Sequence, residues 1–81
     1  MMIERFIWTS HAEDKRAKRL LDRFAVERAI RDGHPERQIN RGHADWLVHG
    51  LMVDGRRFEA VYDHPHDNDH AAVRIVSVWD C

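Results

Sequence analysis

The sequence predicts an α+β domain: two short helices near the N-terminus packed on a mainly antiparallel sheet of about four strands, in the order β-α-α-β-β-β. Three observations carry that expectation. A capped stretch of helical character fills residues 10–33. A strand-like pattern replaces it beyond Gly33. Asp54-Gly55 then stands between two β-favouring runs as a hairpin signal. With 81 residues the chain suffices for one domain, 1–81, and is too short for two.

The elements follow in order. Ile3, Phe6, Ile7 and Trp8, broken by Glu4 and Arg5, suit a first strand with both faces partly covered. Ser10-His11-Ala12-Glu13 reads as a capping box, which predicts a first helix over about 11–19. Asp22 is a second N-cap. Leu21 before it and Val26 have the spacing of a hydrophobic staple, and Val26, Ala29 and Ile30 form the buried stripe of a second helix. Gly33 ends that helix in a left-handed cap, with Pro35 just beyond. Residues 37–40 read as a short edge strand, and Trp46 to Val53 as a strand with a bulge at Gly50. A type I′ turn at Asp54-Gly55 leads into Arg56 to Tyr62, where Phe58, Ala60 and Tyr62 share one face. Ala72 to Trp79 closes the sheet. Strict alternation puts Val73, Ile75 and Trp79 on one face, with Ala72, Val76 and Val78 beside Arg74 on the other.

Composition excludes several classes. The longest apolar runs are three residues, far short of the roughly 20 that a transmembrane helix needs. Glu4 and Arg5 break the start before a signal-peptide apolar region can form, and the lone Cys81 cannot make an internal disulfide. No membrane association and a cytoplasmic location are therefore expected. The net charge of −1 conceals a segregation: residues 1–41 hold ten Lys/Arg against seven acids, and residues 42–81 three against seven. The excess gathers in 15–31, where Arg16, Lys18 and Arg23 are candidates for gripping a nucleic-acid backbone. A solvated helix surface is the commoner reading of such a run.

His11, Lys15 and Arg19 are spaced four apart, which aligns them on one helix face. Like charges so placed repel by a few tenths of a kcal/mol per pair unless an anion joins them. A helix start also favours an anion. A phosphate beside an acid–base imidazole is the functional reading; a bridging histidine beside solvated cations is the bland one. The loop 63–70 carries three histidines and three aspartates without a recognised ligand spacing, so it reads as a solvated hairpin loop rather than a metal site.

The run Thr9-Ser10-His11-Ala12, the basic residue at 15, Arg19 before an aliphatic pair, the Asp22 cap and Ala29-Ile30-Arg31-Asp32-Gly33 resemble a small domain-of-unknown-function family. Its pattern runs Thr-x-His-Ala-x-x-Arg, then Arg-Gly-Ile, a cap, and a helix ending Ala-Ile-x-x-Gly. The closing strand resembles Arg74-Ile75-Val76-Ser77-Val78. That family is related to the RelE/ParE toxin superfamily, along with the BrnT-type toxins. Lys15 stands where the family has arginine, and Leu20 where it has glycine. The resemblance implies a RelE/ParE-like fold and the toxin of a toxin–antitoxin pair, with an antitoxin protein as partner and RNA or the ribosome as target. RelE-like toxins cleave messenger RNA on the ribosome; ParE-like relatives act on DNA gyrase. Metal-independent RNA cleavage, with no cofactor, would use His11 as base or acid, with Lys15, Arg19 and Arg74 holding the phosphate. His49 is a second acid–base candidate, more often a structural histidine in such a place. A non-catalytic module of the same fold, binding nucleic acid or protein, is the alternative.

Overall fold

Polar groups at the end of each element decide where the next begins. The computed structural model describes residues 3–38 and 44–81. Strand β1 (Arg5–Trp8) is followed by helices α1 (Ser10–Lys18) and α2 (Arg23–Asp32), then strands β2 (Glu36–Arg37), β3 (Trp46–Leu51), β4 (Arg57–Asp63) and β5 (Ala72–Asp80). One mixed sheet has the order β1-β5-β4-β3-β2, with β1 parallel to β5 and the other pairs antiparallel. The architecture is α+β, with five strands among the described residues where about four are expected. The fifth is the two-residue β2. It starts one residue before the expected edge strand, whose positions 39 and 40 lie outside the described residues.

The cap of α1 is Thr9, not Ser10. The Thr9 hydroxyl accepts from the Ala12 amide at 3.0 Å and donates to the Val76 carbonyl at 3.2 Å. Glu13 turns to arginines instead of closing a capping box. Strand β1 pairs only with residues 72–75, and α1 then packs beside β5 where that pairing ends. At its other end, α1 closes with Leu20 in the left-handed region (φ 54°). The Leu21 amide reaches the Arg16 carbonyl at 3.0 Å and the Leu20 amide reaches Ala17 at 3.2 Å, the two bonds of a Schellman motif. Arg56 completes this end, donating to the carbonyls of Arg19 (2.9 Å) and Leu20 (2.8 Å). A guanidinium at a helix C-terminus satisfies open carbonyls and complements the dipole. It also clamps the β3–β4 hairpin to the helix connection.

Asp22 caps α2 as expected, accepting from the Ala25 amide. Leu21, Val26 and Ile30 enter one core with Ala12, Val48, Phe58, Tyr62, Val73, Ile75 and Val78. Burial pushes the Tyr62 phenol up to about 12, so it serves as a neutral core ring. Gly33 ends α2 in extended backbone (φ −83°, ψ −174°), not in a left-handed cap. What the site requires is space: a Cβ there would stand 2.4 Å from the Ala29 carbonyl oxygen and 2.9 Å from Val48. Gly50 makes no bulge either. The β3–β4 register is continuous, and the Phe58 ring occupies the space a Cβ at 50 would take.

Two further expectations change. The hairpin turn is a three-residue loop, Val53-Asp54-Gly55, closed by the Met52 amide on the Arg56 carbonyl at 2.8 Å. Only Gly55 has positive φ, whereas type I′ needs two such residues. The bulge lies instead in β5: Val61 pairs with Ser77 and Tyr62 with Ile75, which leaves Val76 extra. Alternation therefore slips by one. Val73, Ile75 and Val78 face the core, while Trp79 joins Arg74, Val76 and Ser77 on the opposite face.

Leu20 is 77% exposed, so its side chain contributes little to set against the cost of its backbone. A left-handed non-glycine residue costs about 1 kcal/mol or more. Leu20→Gly should therefore raise the urea midpoint, for a net stabilisation of up to about 1 kcal/mol after the added unfolded-state entropy of glycine. Leu20→Ala should give no such gain. A lowered midpoint for Leu20→Gly would contradict this account of the turn.

Candidate functional site

The helices cover one sheet face; among the described residues, the other carries none. On that uncovered face lies a concavity of about 780 Å³, with Leu47, Val61 and Val76 in its lining. Cross-strand pairing places His49, Glu59 and Trp79 in one row across β3, β4 and β5. Glu59 joins the row: its Oε2 lies 2.9 Å from His49 Nδ1, and its Oε1 accepts from Trp79 Nε1 at 2.7 Å. An ionised carboxylate only accepts, so the His49 Nδ1 carries the proton and Nε2 keeps the lone pair in neutral imidazole. Glu36 Oε2 stands 3.5 Å from Nε2. The indole fixes the carboxylate, and the carboxylate fixes the ring.

On another wall of the same concavity, His11 Nε2 meets Ser77 Oγ at 3.2 Å. The β5 bulge makes this contact, because strict alternation would turn Ser77 toward the core. A hydroxyl within reach of an imidazole is half of a nucleophile–base arrangement. Among the described residues, however, no carboxylate bonds to His11 as a third member. Arg74 also lines the concavity, held by Asp63 Oδ2 at 3.2 Å, while Asp63 Oδ1 accepts from the Asp45 amide.

The predicted site residues thus divide. His11 and Arg74 share the concavity. The His11–Lys15–Arg19 row does run along one side of α1, and its ends touch β5 at Ser77 and Asp80. Arg19 is spent on Asp80 at 3.5 Å, and neither Lys15 nor Arg19 lines the concavity. Arg16 and Arg23 converge on a single oxygen, Glu13 Oε1, the second at 2.8 Å. Arg16 also donates to the Leu21 carbonyl, and Arg23 lies over the Trp8 ring at 5.7 Å. These two candidates for a nucleic-acid grip knot the helix pair together. Lys18 remains exposed.

Ser77, Glu59, Glu36 and Trp79 were not legible as site residues. His49 was, but the two-residue turn expected at Asp54-Gly55 sets it opposite Ala60; the observed three-residue loop is what brings Glu59 across from it. No protein-family model, curated protein or solved structure matches this chain.

Other reactive groups lie elsewhere. Partial desolvation and the Glu59 carboxylate raise the Cys81 thiol, which keeps it protonated and a poor nucleophile. In the 63–70 loop, His64 Nε2 pairs with the His70 carbonyl at 2.8 Å, His66 lies near Asp67, and Asp69 pairs with Arg5. Among the described residues, no three His, Cys, Asp or Glu side chains converge as a metal would require. Among the described residues, no helix is long and apolar enough to cross a membrane.

The Glu13 knot has a pH signature. The hydrogen bond from Arg16, reinforced by Arg23 and opposed by desolvation, holds the Glu13 carboxyl below its usual 4.5. A carboxylate lowered in the folded state stabilises above 4.5, and that contribution is lost as pH falls through the lowered value. Glu13 is 34% exposed, so screening limits the effect to about 1 kcal/mol. Glu13→Gln should lose that amount at neutral pH, and the two proteins should converge in urea titrations below pH 4.5. A constant gap across that range would refute the assignment.

Proposed function

We propose that this chain is a RelE/ParE-like toxin domain that cleaves RNA without a metal, acting in the cytoplasm on free or ribosome-bound message and held in check by an antitoxin protein. The observation that carries the chemistry is one uncovered concavity holding two imidazoles, each with its own orienting partner, beside an arginine. The chain order and the parallel pairing of the first and last strands support the fold reading.

His49 is the base: its Nε2 takes the proton of the ribose 2′-hydroxyl as O2′ bonds to phosphorus. His11, protonated, is the acid, and its proton passes to O5′ as the P–O5′ bond breaks. Arg74 meets the charge that builds on the phosphoryl oxygens. The products are a 2′,3′-cyclic phosphate and a 5′-hydroxyl. Glu59 positions His49, and Ser77 positions His11. A non-catalytic module binding nucleic acid or protein is the second reading; the pairing of Arg16, Arg19 and Arg23 with acids leaves α1 and α2 with less free positive charge than their sequence implies, which favours a protein over a nucleic acid within that reading.

Purified protein in excess chelator, given single-stranded RNA and ribosome-bound message, should yield cyclic-phosphate ends. His49→Ala and His11→Ala should each slow cleavage by about 10²- to 10⁴-fold. Lys15→Ala should stay within a few-fold of the parent. If folded wild-type protein leaves both substrates intact, the catalytic reading fails and binding remains.

A further inference from the structure

A second surface stands apart from the concavity. Phe24 on α2, Leu51 at the end of β3 and Val53 in the hairpin loop are 74%, 64% and 102% exposed. They are not scattered. Together with Ala25, Ala29 and Met52 they line one groove between α2 and the hairpin, rimmed by Asp22, Arg28 and Asp32. Single exposed apolar residues need no explanation, but a contiguous group of large ones marks an interface.

The hairpin loop sharpens the point. Asp54 and Gly55 do what turn residues do: the Asp54 side chain accepts from the Arg56 amide at 3.1 Å, and Gly55 takes the positive φ. Val53 does neither. A β-branched apolar side chain at a fully exposed loop position has no local stabilising role and is disfavoured in turns.

We infer that this groove is the contact surface of a symmetric dimer of the chain. A two-fold interface sets one patch against its own copy, so the patch must complement itself. This one has the means. Phe24, Leu51 and Val53 lie in one lining and are all exposed, so the apolar surface that one copy offers is the same surface that its twin would bury against it. It also carries both signs of charge, so Arg28 of one copy can face an aspartate at the rim of the other. A groove for a strongly acidic or basic partner would carry one sign. The dimer leaves the uncovered sheet face open, since none of the groove residues lines that concavity.

The test is sedimentation of the full chain over a wide concentration range, with thermal midpoints measured alongside. The wild type should pass from monomer to dimer, and its midpoint should rise with concentration. Val53→Asp and Phe24→Asp should each weaken dimerisation by roughly a hundredfold, since each residue enters a two-fold interface twice. Both side chains are exposed, so the variants should keep the far-ultraviolet spectrum of the monomer. Arg28→Glu should weaken the dimer as well, and more so at low salt. A wild type that stays monomeric throughout overturns the inference, as does a dimer indifferent to both aspartate substitutions.

Discussion

The Thr9 hydroxyl ties together three parts of the molecule that sequence order keeps far apart. It accepts from the Ala12 amide and donates to the Val76 carbonyl, so one oxygen ends β1, starts α1 and anchors the bulge of β5. The bulge turns Ser77 and Trp79 away from the core, and α1, fixed beside them, delivers His11 to Ser77. Without the bulge, Trp79 would point toward the helices and Glu59 would lose its indole donor. The side chains gathered on the uncovered face are thus tied to one cap that bonds to a strand sixty-seven residues away.

Charge follows the same logic of distant partners. The basic segment 15–31 looks like an electrostatic surface when read along the chain. Folded, three of its five arginines meet acids: Arg16 and Arg23 share Glu13, and Arg19 meets Asp80 from the far end of the sequence. Arg56 lies outside that segment, yet it joins hairpin to helix through two backbone carbonyls. Exposed pairs of this kind contribute little each; their effect here is to set the angle between elements rather than to add much stability.

What the sequence made legible was local. The Asp22 cap, the Val26–Ile30 stripe and the alternation of Phe58, Ala60 and Tyr62 each depend on a few neighbouring residues, and each appears where those residues place it. The failures share a cause. Thr9 and Ser10 are both competent caps, and a carbonyl at position 76 decides between them. Gly33 and Gly50 read as conformational devices, but close approach of Val48 and Phe58 is what excludes a side chain there. The β5 bulge has no residue signature of its own, so strict alternation misplaced Trp79. With it went the Glu59–Trp79 contact that orients His49.

The two faces of the sheet explain why a site should lie where it does. Leu21, Val26, Ile30 and Phe58 fill the helix-covered face so closely that nothing but side chain fits. The other face of a half-covered sheet is free to be wholly polar, since water satisfies it. This one is not. It keeps Leu47, Val61, Val76 and Trp79 only partly buried and surrounds them with His11, His49, Glu59 and Arg74. Exposed apolar area that folding does not require, ringed by side chains that are themselves held in place by hydrogen bonds, is the pattern of a surface shaped for a ligand. Of these, Trp79 has a task in the proposed chemistry: its indole donates to Glu59, and Glu59 holds the His49 ring.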